Sequence, residues 1–163
     1  MVRNIDLGDK GNVLDNAIAN IEEIFNLYQF SECGLRLSKI YTEDIRVPTS
    51  NTVSIDIEGV EASREGRAIS GFQQHRYNLY ITVAVWYYHE ELDANVRKKD
   101  VQDILWKITK MFMKHTTCNG FVNKLGTEVL GTEYLPRRFE NKVMAGGVVR
   151  LRLTKLYTVT AID

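Results

Sequence analysis

The sequence has little of what marks several common protein classes. Only two cysteines, Cys33 and Cys118, occur among 163 residues, which is too few for a disulfide framework. The longest apolar stretch, residues 79–88, has about half of the roughly 18 residues that a membrane-spanning helix requires. The N-terminus shows no secretory signal pattern. These features predict a protein made in a reducing cytoplasm and without a membrane role.

Charge of one sign is not in excess either. Lys and Arg number 21 and Asp and Glu number 21, so the formal net charge is zero and the basic excess typical of nucleic-acid binders is missing. Apolar residues make up 44% and charged residues 26%, an ordinary globular composition that excludes intrinsic disorder. At this length we expect a single domain over residues 1–163.

The charges are nevertheless unevenly distributed along the chain. Residues 1–32 carry two basic and six acidic side chains, a net of −4, and residues 134–163 carry six basic and two acidic ones, a net of +4. Complementary patches of this kind suit head-to-tail contact between identical subunits, in which a ring can close. The alternative is that both patches meet inside one monomer.

Hydrophobic periodicity predicts an α+β fold. Apolar residues at steps of three and four predict a helix over 12–30, capped by Asn12, and a second helix over 93–114. Alternation at period two predicts strands over 35–38, 53–58, 77–88, 120–130 and 149–159. This order favours a mostly antiparallel sheet with two helices packed on one face.

Two stretches are too long for economical turns between strands. Residues 59–76 and residues 134–148 far exceed the roughly two to five residues of a hairpin connection. Both contain glycines and arginines. We expect long protruding loops, or arms, that are functional or become ordered on assembly.

Motifs that would carry catalysis are scarce. The chain has no nucleophile elbow, P-loop or dinucleotide-binding glycine motif, and His115 with Cys118 makes at most half a metal site. The best enzyme hypothesis is a metal-dependent nuclease in which Asp56 and Glu58, near Glu61, hold magnesium. Alternating acids are also typical of a solvent-facing strand. The sequence therefore favours a protein without a catalytic, cofactor-binding or metal site.

The order of the elements carries a family resemblance. An amphipathic N-terminal helix is followed by a loop with Pro48, a long arm, a strand ending in aromatics at Trp86-Tyr87-Tyr88, a long helix and a terminal strand pair. This layout resembles the tail-terminator family of long-tailed bacteriophages, also called tail-completion or minor tail proteins. The resemblance spans nearly the whole chain, and residues 77–105 carry it most strongly.

The resemblance implies a structural virion protein that forms a six-membered ring on the finished tail tube. Such a ring stops tube polymerisation and joins the tube to the neck or head connector, with DNA passing through the centre without sequence-specific binding. Members of the family are not enzymes and bind no cofactor. The implied partners are further copies of the chain, the tail tube protein and the neck or head connector protein. The implied location is the virion, after assembly in the bacterial cytoplasm.

The sequence leaves two further structural roles open. One is an adaptor ring of the neck or of head completion, and the other is a monomeric binding module whose arms recognise another protein. In each case the arms would make the contacts, because arginines and aromatic residues are enriched at interfaces. The candidate assembly residues in the arms are Arg64, Glu65, Arg67, Phe72, Gln73, Gln74, Arg76, Arg137, Arg138 and Phe139.

Overall fold

The structure, a computed structural model, describes residues 12–29, 39–41, 52–69, 72–88, 94–139 and 142–160. In these ranges the chain forms two helices, α1 (Val13–Gln29) and α2 (Ala94–Lys114). The strands are β1 (Lys39–Tyr41), β2 (Thr52–Ile69), β3 (Phe72–Tyr88), β4 (Thr127–Tyr134), β5 (Arg137–Phe139) and β6 (Lys142–Thr160). Both helices lie where the periodicity predicts them, within one residue at each end.

The start of α1 is fixed by the predicted cap. The side-chain Oδ1 of Asn12 accepts a hydrogen bond from the amide of Asp15 at 2.9 Å, and its carbonyl oxygen accepts one from the amide of Asn16 at 3.1 Å. The side-chain bond satisfies an amide of the first turn that has no intrahelical partner, and the carbonyl bond is the first of the helix. Asn12 therefore caps α1, as predicted.

The strands form one sheet in the order β1-β2-β3-β6-β4, with β5 paired to the start of β6. β1 and β2 run parallel, and the other neighbours are antiparallel. The prediction of an α+β fold with a mostly antiparallel sheet is confirmed. The predicted strand over 35–38 lies outside the described residues.

Both helices pack on one face of the sheet around a large core. Alternate residues of β3 and β6 point to this face, and Leu79, Ile81 and Leu151 among them are buried. Phe25 of α1 and Phe112 of α2 meet edge-to-face, with ring centroids 5.8 Å apart. Burial of these side chains supplies the main free energy that holds the helices on the sheet.

The segment between α2 and β4 enters the core as a turn. Phe121 within it is buried, and Nδ2 of Asn119 donates a hydrogen bond to Oδ1 of Asn20 in α1 at 3.0 Å. The prediction of a strand over 120–130 is therefore wrong in its first part. The apolar side chains there are buried by a turn, and the strand begins only at Thr127.

Three strands are much longer than a typical strand. β2, β3 and β6 have 18, 17 and 19 residues, whereas the usual length is about five or six. β3 and β6 pair without a register shift from Phe72 with Thr160 to Tyr88 with Met144. At about 3.3 Å per residue this ladder is about 55 Å long, against about 30 Å for α2. The strands therefore extend beyond the part of the sheet that the helices can cover.

The prediction of long loops over 59–76 and 134–148 is wrong for most of both stretches. β2 and β3 continue through the first stretch as paired strands up to Ile69 with Phe72, which makes it a long hairpin. In the second stretch β5 pairs with the first residues of β6 as a short hairpin. Interstrand hydrogen bonds therefore hold the backbone of both stretches.

The other face of the sheet carries a small second cluster formed by Ala84, Trp86 and Val148. Gly146 is the cross-strand partner of Trp86. A Cβ on Gly146 would overlap Cε3 and Cζ3 of the indole and lie 2.8 Å from the carbonyl oxygen of Val85. The indole therefore lies directly over the glycine, which leaves no space for a larger residue.

Replacing Gly146 by Ala is expected to lower the free energy of unfolding by about 1–3 kcal/mol, because the added methyl group requires space that the indole occupies. Urea denaturation measures the change. The control is Gly59→Ala, since a Cβ on Gly59 meets no atom within 4 Å and should change stability by less than about 0.5 kcal/mol. Equal losses in the two variants would contradict the close contact with Trp86.

Candidate functional site

The residues predicted for assembly lie at the two ends of the sheet. Those on the hairpin of β2 and β3, called the long arm (residues 59–76), are Arg64, Glu65, Arg67, Phe72, Gln73, Gln74 and Arg76. Those on β5, which with residues 142–144 is called the short arm, are Arg137, Arg138 and Phe139. β6 joins the two arms, since its Thr160 pairs with Phe72 and its Met144 pairs with Arg137. The outer end of the long arm at Phe72 is therefore about 50 Å from the short arm along this strand.

The long arm presents exposed side chains beyond the core. Arg64, Gln74 and Arg76, three of the predicted assembly residues, are exposed. At the base of the arm the hydroxyl of Tyr80 donates a hydrogen bond to Oε2 of Glu61 across the two strands at 3.1 Å. A hairpin of this kind offers side chains on both faces and backbone groups along the outer edge of β2. Its form suits contact with another chain.

Aromatic side chains brace the base of the long arm on the helix face. Tyr77 of β3 and Tyr157 of β6 meet edge-to-face, with ring centroids 5.4 Å apart, and both line a groove of about 360 Å³. The ammonium group of Lys155 donates a hydrogen bond to the carbonyl oxygen of Phe121 at 2.7 Å. Partial burial and then Tyr77 raise the pKa of the Tyr157 phenol. These contacts join the base of the long arm to the turn before β4 and to the neighbouring strand.

The solvent face of the sheet carries charges that cancel one another. Arg150 donates a hydrogen bond to Oε2 of Glu133 at 3.1 Å, and Arg152 pairs with Glu128. Both ion pairs join β4 to β6, and because they are partly exposed each contributes at most about 1 kcal/mol. Part of the basic excess in residues 134–163 is therefore neutralised within the chain.

The carboxylates of the nuclease hypothesis lie on a solvent-exposed part of β2. Asp56 accepts a hydrogen bond from the amide of Ile57 at 2.9 Å, Glu58 lies at a shift in the pairing of β2 with β3, and Glu61 is bonded to Tyr80. Over the described ranges, no group of three or more His, Cys, Asp or Glu side chains is placed to hold a metal ion. The arrangement matches the other interpretation of the sequence, acids on a solvent-facing strand.

The turn after α2 holds His115 and Cys118, the other pair considered for metal binding. The amide of Cys118 donates a hydrogen bond to the carbonyl oxygen of His115 at 2.8 Å. Burial raises the pKa of the Cys118 thiol to about 12, and burial followed by Lys114 lowers the pKa of His115. Because the thiolate is the form that binds metal, Cys118 acts as a core residue at neutral pH.

Cys118 is expected to resist alkylation by iodoacetamide in the folded protein at about pH 8, because burial keeps its thiol protonated. In urea the same thiol should react readily. Mass spectrometry of the Cys118 peptide from a Cys33→Ser variant measures the extent of labelling in both conditions. Equal labelling rates with and without urea would contradict the buried position of this side chain.

A surface that the sequence analysis does not single out lies between α2 and β4. Trp106 is 55% exposed and Met113 56% exposed. Beside Trp106 is a groove of about 320 Å³, called the α2–β4 groove, with Thr109 and Thr132 in its walls. Trp106 directly follows the buried Leu105, so a helical wheel would have placed it outside the core-facing stripe. A large exposed aromatic side chain beside an edge strand is typical of an interface.

Comparison with protein-family models and with curated proteins finds no match for this chain. In the described part of the chain neither helix is long and apolar enough to cross a membrane.

Proposed function

We propose that this chain is a structural protein of a bacteriophage virion that acts as a tail terminator. Six copies form a ring that caps the tail tube, stops its polymerisation and joins it to the neck or head connector. DNA passes through the centre of the ring. The proposal rests on the order of elements that resembles the tail-terminator family and on one geometric feature of the sheet.

That feature is the position of the two arms at opposite ends of one long ladder. A terminator has two different partners along the tail axis, the tube on one side and the connector on the other. With the strands along this axis, the long arm reaches one partner and the short arm reaches the other, about 50 Å apart. Because β3 and β6 pair without a register shift, both arms belong to one continuous sheet.

The side chains at both ends suit contact with other proteins. The long arm exposes Arg64 and Arg76, and the short arm contains Arg137 and Arg138 in β5. The planar guanidinium group of arginine binds carboxylates with two parallel hydrogen bonds, which makes it common at interfaces. The arms can therefore recognise acidic surfaces on the tube and on the connector.

The protein is expected to form rings of about 112 kDa, six times the 18.7 kDa of one chain. Light scattering over a concentration series measures the mass in solution. Negative-stain imaging of the largest species, and of a mixture with tail tubes of the phage that encodes the chain, shows whether a ring caps one tube end. A protein that stays monomeric at every concentration and leaves the tubes bare would contradict the proposal.

Each arm can be shortened without changing the core. A two-residue Asn-Gly turn can join Glu65 to Gln74 in the long arm or Arg137 to Met144 in the short arm, because these residues are cross-strand partners. The arginines that remain, Arg64 and Arg76 in the first variant and Arg137 in the second, are replaced by Ser. We expect either variant to change the free energy of unfolding by less than about 1 kcal/mol. Each should lose binding to one partner and keep binding to the other.

The two shortened variants serve as controls for each other. Co-sedimentation with tail tubes and with connector complexes, together with negative-stain imaging, measures the two contacts separately. If either variant lost both contacts while staying folded, or if neither lost any, the assignment of one arm to each partner would be wrong.

A further inference from the structure

The sheet has two margins at which a strand has no neighbour among the described residues. β4 (Thr127–Tyr134) is the last strand on one side, called the β4 margin. On the other side β1 pairs with β2 only from Thr52 to Ser54. Within the described ranges the outer edge of β2 is therefore open from Ile55 onward, and this edge is called the β2 margin. Open edges of this kind can pair with a strand of another chain.

The strand directions determine how these margins can meet. Neighbours in the order β2-β3-β6-β4 are antiparallel, so β4 runs opposite to β2. A rotation about an axis along the strands leaves their directions unchanged. It therefore brings β4 of one copy beside β2 of the next copy as an antiparallel pair, the same arrangement as within the sheet.

α1 presents acidic side chains at the β2 margin. It packs against β2, and its Asn20 faces the other way, toward the hydrogen bond with Asn119 after α2. Asp15 and Glu22 are seven residues apart and lie roughly opposite Asn20 around the helix, because each residue adds about 100°. Residues 12–27 contain three acidic side chains and no Lys, Arg or His, a net charge of −3. Glu23 lies about 60° from Asn20, so the outward flank of α1 carries two of these acids, Asp15 and Glu22.

α2 presents lysines at the β4 margin. Trp106 lines the α2–β4 groove and so lies on the flank that faces this margin. Lys99 and Lys110 lie within about 40° of Trp106 around the helix, and Nζ of Lys110 is 5.7 Å from the centroid of the Trp106 ring. Residues 98–114 carry five lysines and two aspartates, a net charge of +3. Asp103 lies about 60° from Trp106 on the same side, so the outward flank of α2 carries two lysines and one aspartate and is weakly basic.

Exposed apolar side chains accompany the charges at both margins. Val60 of β2 is 44% exposed and shares the helix face of the sheet with its cross-strand partner Leu79. Trp106 and Met113 are exposed on the same side at the other margin. One margin thus combines apolar side chains with acids, and the other combines them with lysines. Two surfaces of this composition can bind each other.

We infer that the acidic β2 margin of one copy docks on the basic β4 margin of a second copy, so that the sheet continues from subunit to subunit. β4 pairs with the outer edge of β2, α1 lies beside α2 of the neighbour, and Trp106 and Met113 become covered. The inference rests on the proposed function, since it specifies how the copies form the ring. Because the two margins differ, the contact is heterologous and repeats until the ring closes.

Two-fold contacts, of β4 with β4 or of β2 with β2, are disfavoured by the same charges. The first would place the lysines of α2 against those of its own copy and the second the acids of α1, and like charges across an interface oppose association. Either contact would also stop at two copies and leave the other margin open. The charges therefore favour the pairing of unlike margins.

Charge reversal at the two margins tests this docking. Lys110→Glu and Glu22→Lys are each expected to weaken self-association about tenfold or more at low salt, because each places like charges across the contact. An equal mixture of the two variants should restore rings, since the two reversed positions meet at one contact and the next contact is native. The restored ring alternates the two chains. Lys107→Glu is the control and should leave association unchanged, because Lys107 lies about 100° from Trp106 around α2 and so faces away from the β4 margin.

Light scattering measures the mass of free rings, and negative-stain imaging measures rings on tail tubes. Rings that still cap tubes with undiminished affinity in both single variants would overturn the docking and leave the proposed function intact. Stronger association of Lys110→Glu with no effect of Glu22→Lys would indicate the two-fold contact and also overturn it. The expected reversal pattern without tube capping would support the docking and contradict the terminator function. A chain that stays monomeric with and without tubes would overturn both.

Discussion

The pairing of β3 with β6 is the constraint on which the rest of the structure depends. The two strands stay in register from Phe72 to Tyr88. One side of each carries apolar residues, and these form one buried core with the apolar side chains of both helices. A shift of one residue would move this apolar set to the solvent face. The same pairing connects the arms, because β6 reaches from β5 at one end to the long arm at the other.

The long arm continues the sheet beyond the core. Among the side chains that the structure describes, Leu79 and Leu153 are the last fully buried cross-strand pair in its direction. Beyond them, backbone hydrogen bonds and contacts such as that of Tyr77 with Tyr157 hold the strands together. Among the described residues no strand covers the outer edge of this extension, and an open edge is a liability for aggregation in a monomer. In the proposed ring, neighbouring copies would cover this edge and the partners would cover the outer ends of the arms, which would account for the length of the strands.

The sequence predicts the elements that depend on local periodicity and misses those that depend on neighbours in the sheet. Both helices are confirmed within one residue because their apolar stripes follow a 3.6-residue period. β2 beyond Gly59 alternates poorly, and its strand conformation comes from pairing with β3. Phe121 contributes to the apolar pattern of the strand predicted over 120–130, but a turn buries it instead. Trp106 can be placed outside the core from sequence, but its position beside β4 requires the strand order.

Backbone pairing at an open edge carries little information about which strand it binds, so the choice of partner depends on the side chains nearby. On the solvent face the arginines of β6 are paired with glutamates of β4 and can contribute little to that choice. On the helix face the acids of α1 and the lysines of α2 remain at opposite margins. Although the net charge of the chain is zero, acidic and basic side chains thus lie at opposite margins of the sheet, where further strands would be added. That asymmetry favours head-to-tail growth over two-fold pairing, and head-to-tail growth is the mode from which a closed ring can form.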